Sequence, residues 1–230
     1  MITPHLLRLS KVAEVTLPTP WAQFRLLAFE ARFTGDGLTQ VRIDTGLALL
    51  LGDIHRSIPL VRIHSQCTTS EVFHSLRCDC HDQLHLALER IAEAGNGLLV
   101  YECQEGRGIG LMEKLRAYQL QDQGLDTVEA NLRLGHAVDL RDYAFSMEVL
   151  RFLHIRMIRL MTNNPEKIRV VHASGVTVVE RVSADVPSNP HSAHYLATKR
   201  EKLGHLAGSW TDPKTTTQIE TAPGEEMTLS

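Results

Sequence analysis

Apolar side chains in the first third of the chain fall in short blocks rich in Val, Ile, Leu and Phe, over residues 14–29, 46–54 and 57–64. The blocks are broken by Pro18, Pro20, a Gly35-Asp36-Gly37 turn and Pro59. Runs of this length bounded by breakers predict strands, and their close succession predicts an antiparallel β layer.

From Thr68 onward the period changes. Leu84, Leu88, Ile91 and Ala92 recur at i, i+4, i+7 and i+8, and Gly95-Asn96-Gly97 stops the pattern, so residues 81–94 are predicted as an amphipathic helix with a glycine C-cap. The helix feeds a buried strand at 98–103. A Gly-rich turn, Gln104-Glu105-Gly106-Arg107-Gly108-Ile109-Gly110, then opens a helix at 111–123 that Gly124 ends. A short helix at 128–134 follows, then a helix at 143–153 with Met147, Leu150 and Leu153 on one face, and a strand at 156–161. Asn163-Asn164-Pro165 starts another helix, which ends at Gly175 before a strand at 176–182. Ser192 is placed to cap a last helix through Tyr195, Leu196, Lys199 and Leu203. Strand, loop and helix in alternation predict a single α/β (α+β) domain. Beyond Leu206 the composition turns to Thr, Pro, Gly and Glu, so a mobile tail is expected from about Gly208.

Composition narrows the function. The 24 Lys+Arg against 27 Asp+Glu give a net charge of −3, which argues against a nucleic-acid-coating protein. With 43% hydrophobic residues, a core can form without disulfide staples. The longest apolar stretches, near 47–51 and 98–100, fall far short of the roughly 20 residues a membrane helix needs. No signal-peptide pattern is seen at the N-terminus, and the expected location is cytoplasmic.

Three cysteines carry the first candidate chemistry. Cys67 follows a predicted strand, and Cys78 and Cys80 follow after ten intervening residues as C-x-C. Three thiolates hold Zn²⁺ with a fourth position open, which is the mark of a catalytic site. Closure by Cys103 would make the metal structural and inert, and spacing alone leaves buried structural thiols as the competing reading. The turn at Glu105-Gly106-Arg107 sits where a strand's carboxyl end meets a helix, so it is either a phosphate cradle or an ordinary βα turn. Thr162-Asn163-Asn164-Pro165-Glu166-Lys167 has the same position and the same two readings, anion binding or simple capping. No G-x₄-G-K-[ST] sequence is present, which excludes P-loop chemistry.

Taken in order, Arg62-Ile63-His64-Ser65-Gln66-Cys67, Leu76-Arg77-Cys78-Asp79-Cys80 with Gln83-Leu84, the Gln104–Leu111 turn, Asp126-Thr127-Val128-Glu129-Ala130-Asn131 and Thr162-Asn163-Asn164-Pro165 closely resemble GTP cyclohydrolase II, the family of the first committed step of riboflavin synthesis. The likeness runs from about Val12 to Leu206. It implies an N-terminal extension at 1–11, a catalytic domain at 12–206 and a tail at 207–230. It also implies a zinc- and Mg²⁺-dependent hydrolysis of GTP that opens the imidazole ring, releases formate from C8 and splits off pyrophosphate. The product would be 2,5-diamino-6-ribosylamino-pyrimidin-4-one 5′-phosphate, and the assembly a homodimer. By the family's pattern Cys67, Cys78 and Cys80 match the zinc ligands. Asp139 matches a proton acceptor, Arg141 a nucleophile toward the α-phosphorus, and Tyr118 a tyrosine near the zinc. GTP contacts would come from Arg62, Ile63, His64, Ser65, Gln66, Gln83, Glu105, Gly106, Arg107, Thr127, Thr162 and Lys167, with Mg²⁺ riding on the triphosphate. A guanidinium is a poor nucleophile, so a second role for Arg141, neutralising the triphosphate as a clamp, stays open.

Departures from the family pattern lie near this chemistry. Gln66 stands where relatives usually carry Glu, His81-Asp82 follows the C-x-C where relatives have Gly, and Cys103 stands where Arg is usual. An amide offers guanine one acceptor where a carboxylate offers two. Alternatives are therefore a paralogue with altered purine nucleotide specificity or one that stops at the formamidopyrimidine, and a catalytically silent nucleotide-binding protein.

Overall fold

The computed structural model describes residues 5–34, 41–187, 189–192, 195–198, 201, 204–206 and 210–211. The expected Gly35-Asp36-Gly37 turn lies outside them, as does most of the expected tail.

The predicted 14–29 block is a hairpin of two longer strands, β1 (His5–Pro18) and β2 (Gln23–Thr34), split at Pro18–Trp21. β1 reaches back to His5 and pairs antiparallel along β2. It was hard to see because both of its faces are largely exposed, so no hydrophobic alternation marks it. β3 (Val41–Leu51) begins five residues before the predicted start, and β4 (Leu60–Ser65) is the buried strand that leads to the first cysteine. Next come α1 (Thr68–Glu71), α2 (Cys80–Ala94), β5 (Gly97–Glu102), a 3₁₀ turn at Glu105–Gly108, α3 (Leu111–Asp122), α4 (Thr127–Arg133), α5 (Ala144–Phe152), β6 (Met157–Met161), α6 (Pro165–Ala173), β7 (Thr177–Val182) and β8 (Trp210–Thr211). Gly95 takes φ 64° at the end of α2, the left-handed cap its sequence predicts. Asp126 closes a capping box on α4, and Asn164 with Pro165 starts α6. Residues 195–198 are helical, with the Leu196 N–H on the Ser192 carbonyl at 2.9 Å. Within the expected tail, Trp210 and Thr211 pair with β7.

Among the described residues, the eight strands form one sheet in the order β1-β2-β3-β5-β4-β6-β7-β8. The antiparallel strands β1, β2 and β3 join the parallel set β5, β4, β6 and β7 edge to edge. Alternation on β2 serves both faces. Leu27, Phe29, Ala31 and Phe33 pack with Phe145, Val149 and Leu150 of α5 and Val171 of α6, whereas Phe24 packs with Ala87, Leu88 and Ile91 of α2. The result is an α/β sandwich of helices on both faces of a mixed sheet. Because β4, β5 and β6 run parallel, their carboxyl ends open at one edge, where the chain leaves β4 toward β5 on one side and leaves β6 toward β7 on the other. Ligands of open α/β sheets bind at such an edge.

Candidate active site

A cleft of about 380 Å³ opens at that edge. β4 delivers Arg62, His64, Ser65 and Gln66 to it, β5 leads to Glu105, Gly106 and Arg107, and β6 leads to Thr162 and, through α6, Lys167. Gln83, Tyr118, Thr127, Arg141 and the three cysteines also line it. Two of the residues singled out in the sequence do not. Ile63 alternates away from Arg62 and His64 and is buried in the core, where only its carbonyl matters, accepting from Lys167 Nζ at 2.7 Å. Asp139 reaches the cleft through Arg141, whose Nε donates to its Oδ1 at 2.9 Å and to its Oδ2 at 3.2 Å.

The three cysteines converge. Cys67 precedes α1, Cys80 begins α2, and Cys78 lies two residues before it; their sulfurs lie within 4.8 Å of one another, with Cys67 and Cys78 at 3.7 Å, so they could hold one metal ion. Cys103 is exposed and outside the group. The three thiols cannot ionise independently. Hydrogen bonds from Cys78 and Cys80, aided by Lys114, pull the Cys67 thiol well below its usual range, and the Cys67 sulfur in turn pushes Cys78 and Cys80 up. A divalent cation removes that conflict by stabilising every thiolate at once.

Cations line the same cleft. Arg62 is buried and donates to the Met161 carbonyl (3.1 Å) and to Gln83 Oε1 (2.6 Å), while Gln83 donates to Asp79 (2.6 Å). Burial lowers the Arg62 pKa to about 10, against the pull of Asp79. Lys167 is buried beside Arg62 and Arg141, and its pKa falls well below the usual lysine range through burial first and those two guanidinium groups second. Arg107 sits at φ 59° after Gly106 at φ 62°, a left-handed pair that aims the side chain inward. Its Nη1 and Nη2 are buried and have no hydrogen-bond partner among the described residues. Unpaired guanidinium nitrogens in a cleft fit an anionic ligand, because burial without a partner is otherwise costly. Arg141 is different. Despite burial, its pKa is raised by Asp139, and the Asp139 carboxylate is correspondingly lowered.

A model of the GTP cyclohydrolase II family matches residues 10–183. The chain belongs to the GTP cyclohydrolase II family. Among similar proteins, each named GTP cyclohydrolase-2, that of Yersinia pestis is 49% identical over 201 residues, covering 87% of this chain and 98% of the relative. Those of Buchnera aphidicola and Klebsiella pneumoniae are each 48% identical, over 201 and 204 residues, covering 87% and 88% of this chain and 98% of each relative. As a member of the GTP cyclohydrolase II family the chain is an enzyme, a hydrolase.

Several lining residues of this GTP cyclohydrolase II fold had no site role in the sequence reading: Arg77, Gln104 and Asn131, which stand inside its motifs, Tyr195, and also Lys114, His191 and His205. Lys114 had a usable signal, because it stands four residues before Tyr118 and shares its face of α3. Tyr118 itself is half in place: its hydroxyl lies 3.4 Å from Thr69 Oγ1, Arg77 stacks 4.8 Å over its ring, and burial raises its pKa to about 12 against the pull of Lys114.

His64 offers a pH test of the site's scaffold. Its Nε2 pairs with Glu71 Oε1 at 2.8 Å, and the same oxygen accepts from the Cys67 N–H at 3.1 Å. Burial lowers the His64 pKa to about 4, outweighing Glu71, so the ring is neutral at pH 7. Between pH 6.5 and 4 the unfolded chain takes a proton that the native imidazole refuses, so stability falls as pH falls, by about 3 kcal/mol across that window. Buried Glu102, raised by burial to about 7, works in the opposite direction, losing stability as pH rises from its unfolded value toward 7. The difference between the protein and His64→Gln isolates the histidine. Thermal unfolding at pH 7 and pH 5 should show a smaller acid loss in the variant.

Proposed function

We propose that the protein hydrolyses GTP at a zinc centre, opening the imidazole ring with release of formate from C8 and of pyrophosphate, to give 2,5-diamino-6-ribosylamino-pyrimidin-4-one 5′-phosphate. The relatives' shared name supplies the substrate. The observation that carries the reading is one cleft lined both by three converging thiols and by the cations Arg62, Arg107, Arg141 and Lys167. Tetrahedral zinc with sulfurs at about 2.3 Å places those sulfurs about 3.8 Å apart, and Cys67 and Cys78 stand at 3.7 Å.

Cys67, Cys78 and Cys80 would hold the metal, which when bound would supply Lewis acidity for attack of water on an electrophilic ring carbon. Tyr118 lines the same cleft and offers a protonated hydroxyl to orient water or the opened ring. Arg62, Arg107 and Lys167 take the triphosphate with its Mg²⁺, aided by the Thr162 hydroxyl and the start of α6. Glu105, Thr127, Gln83, Ser65, His64 and Gln66 bound the nucleoside. Gln66 spends its amide N–H on Thr68 Oγ1 at 3.2 Å, which leaves its carbonyl oxygen as the acceptor for a base. Arg141, held as a cation by Asp139, acts as a clamp on the α- and β-phosphates rather than as a nucleophile, because attack would require loss of the proton that Asp139 stabilises on it. The reading includes a cytoplasmic homodimer, supported by the edge strand β1 with Leu7, Val12 and Val15 exposed.

Separate assays of formate, pyrophosphate and the diaminopyrimidine test this function. With GTP all three should appear in equal amounts, and ITP and XTP should be slower. Pyrophosphate without formate would shift the reading to a formamidopyrimidine-forming paralogue, faster turnover of ITP or XTP to altered specificity, and binding without any product to a silent nucleotide-binding protein.

A further inference from the structure

Lys114 is a cation within hydrogen-bond reach of a cluster thiol and has no place in the chemistry described so far. It leaves the first turn of α3 and passes under the 3₁₀ turn, so close that a Cβ added at Gly106 would lie 3.1 Å from the Lys114 Cβ. Its ammonium ends 3.1 Å from Cys67 Sγ and 2.7 Å from Glu105 Oε1, with only 11% of the side chain exposed. Glu105 is held in turn by the N–H of Thr68, at 2.6 Å to Oε2, and by its own neighbour Gly106 N–H, at 2.8 Å to Oε1. The contact is therefore built from both sides, by the residue that follows Cys67 and by the turn that carries Arg107.

Three thiolates around a divalent cation leave a net charge of about −1, and that charge weakens the metal's hold on the electrons of a bound substrate or water. An ammonium hydrogen-bonded to one of the sulfurs draws density from that thiolate and brings the local charge to neutral. We propose that Lys114 is a positioning residue for the metal centre, an N–H donor to the Cys67 sulfur that offsets the charge of the three thiolates and is itself aimed by Glu105. The proposal rests on the metal reading above. Lys114 touches the ligand sulfur and acts through it, and Glu105 keeps the ammonium from swinging into the cleft to pair with phosphate.

Cobalt(II) provides a readout independent of turnover. Metal-depleted full-length protein is titrated with Co²⁺, and the thiolate-to-cobalt charge-transfer absorption is recorded for the wild type, Lys114→Met and Lys114→Arg. Methionine keeps the apolar stem and removes the donor; arginine keeps a charged N–H donor. The expected result is a thiolate–cobalt band in all three, displaced to longer wavelength in Lys114→Met and returned toward the wild-type position in Lys114→Arg. With GTP and zinc, kcat should fall about tenfold in Lys114→Met with KM unchanged, as expected for loss of one hydrogen bond to a charged sulfur. An unmoved band in Lys114→Met, with the band present in wild type, would overturn the role of Lys114 and leave the metal centre standing. Absence of the band in wild type would remove the metal centre and this role with it. If Lys114→Met proves unfolded by circular dichroism, Lys114→Gln carries the same comparison, with a weaker neutral donor and an intermediate displacement expected.

Discussion

Arg141→Ala should abolish release of both pyrophosphate and formate from GTP, with turnover lower by about a thousandfold or more, the range found when a phosphate-clamping arginine is lost. The geometry gives the reason. Arg141 lines the cleft with its side chain almost fully enclosed, and its Nε and backbone N–H are both fixed on Asp139, at 2.9 and 3.0 Å to Oδ1. The segment is also tied to the phosphate loop, through the Leu140 N–H on the Arg107 carbonyl at 3.0 Å. Alanine removes a cation that Asp139 has already oriented, while Arg62 and Lys167 are each anchored on a backbone carbonyl of the sheet at their own positions. Arg141→Lys separates the two roles the residue can hold. As a clamp, a lysine retains a fraction of pyrophosphate release, and no guanylylated protein accumulates in rapid-quench mass spectra. A covalent guanylyl adduct on the wild-type protein that is missing from Arg141→Lys would establish the nucleophile and sink the clamp. Asp139→Asn should weaken the reaction through Arg141, since an amide still accepts one hydrogen bond but no longer holds the charge.

Helices were the most legible part of the fold. α2, α5 and α6 each bury one apolar stripe against the sheet, so the 3.6-residue period and the caps at Gly95 and Asn164 located them within a residue or two. β1 was not legible over its first half because it packs on one neighbour only and buries neither face, and α1 is a single turn set by the cysteine it follows rather than by any periodicity. At the site, residues carried by short contiguous motifs were found, because a βα turn brings neighbours in sequence to one cleft. His191, Tyr195 and His205 come to the same cleft from the far end of the chain, and no local pattern predicts that return. Ile63 shows the reverse error. Membership of a motif does not place a side chain when the strand alternates, and β4 sends Arg62 and His64 one way and Ile63 the other.

Cys78→Ser should reduce bound zinc from about one per chain to a small fraction, since a neutral hydroxyl replaces a thiolate and two remaining sulfurs do not hold the ion tightly. Formate release should fall below detection. Pyrophosphate release should survive, because most of the cationic lining is built without the sulfur. Arg62 donates to the Met161 carbonyl of β6 at 3.1 Å, and only its second brace, Gln83, leans on Asp79 between the two cysteines. Lys167 hangs on the Ile63 carbonyl of β4, and Arg107 on the 3₁₀ turn, so neither depends on Cys78. Glu105 and Lys114 also stay in place, braced against Thr68 and Cys67 rather than against the C-x-C. The measurement is metal content together with formate and pyrophosphate from the same preparation, with circular dichroism to confirm the fold. Loss of formate alone would establish that ring opening and phosphate cleavage are separable on this protein. Equal loss of both, from a protein that is still folded, would mean that the metal orders the whole cleft, and assigning ring opening to the thiols and phosphate cleavage to the cations would no longer explain the chemistry.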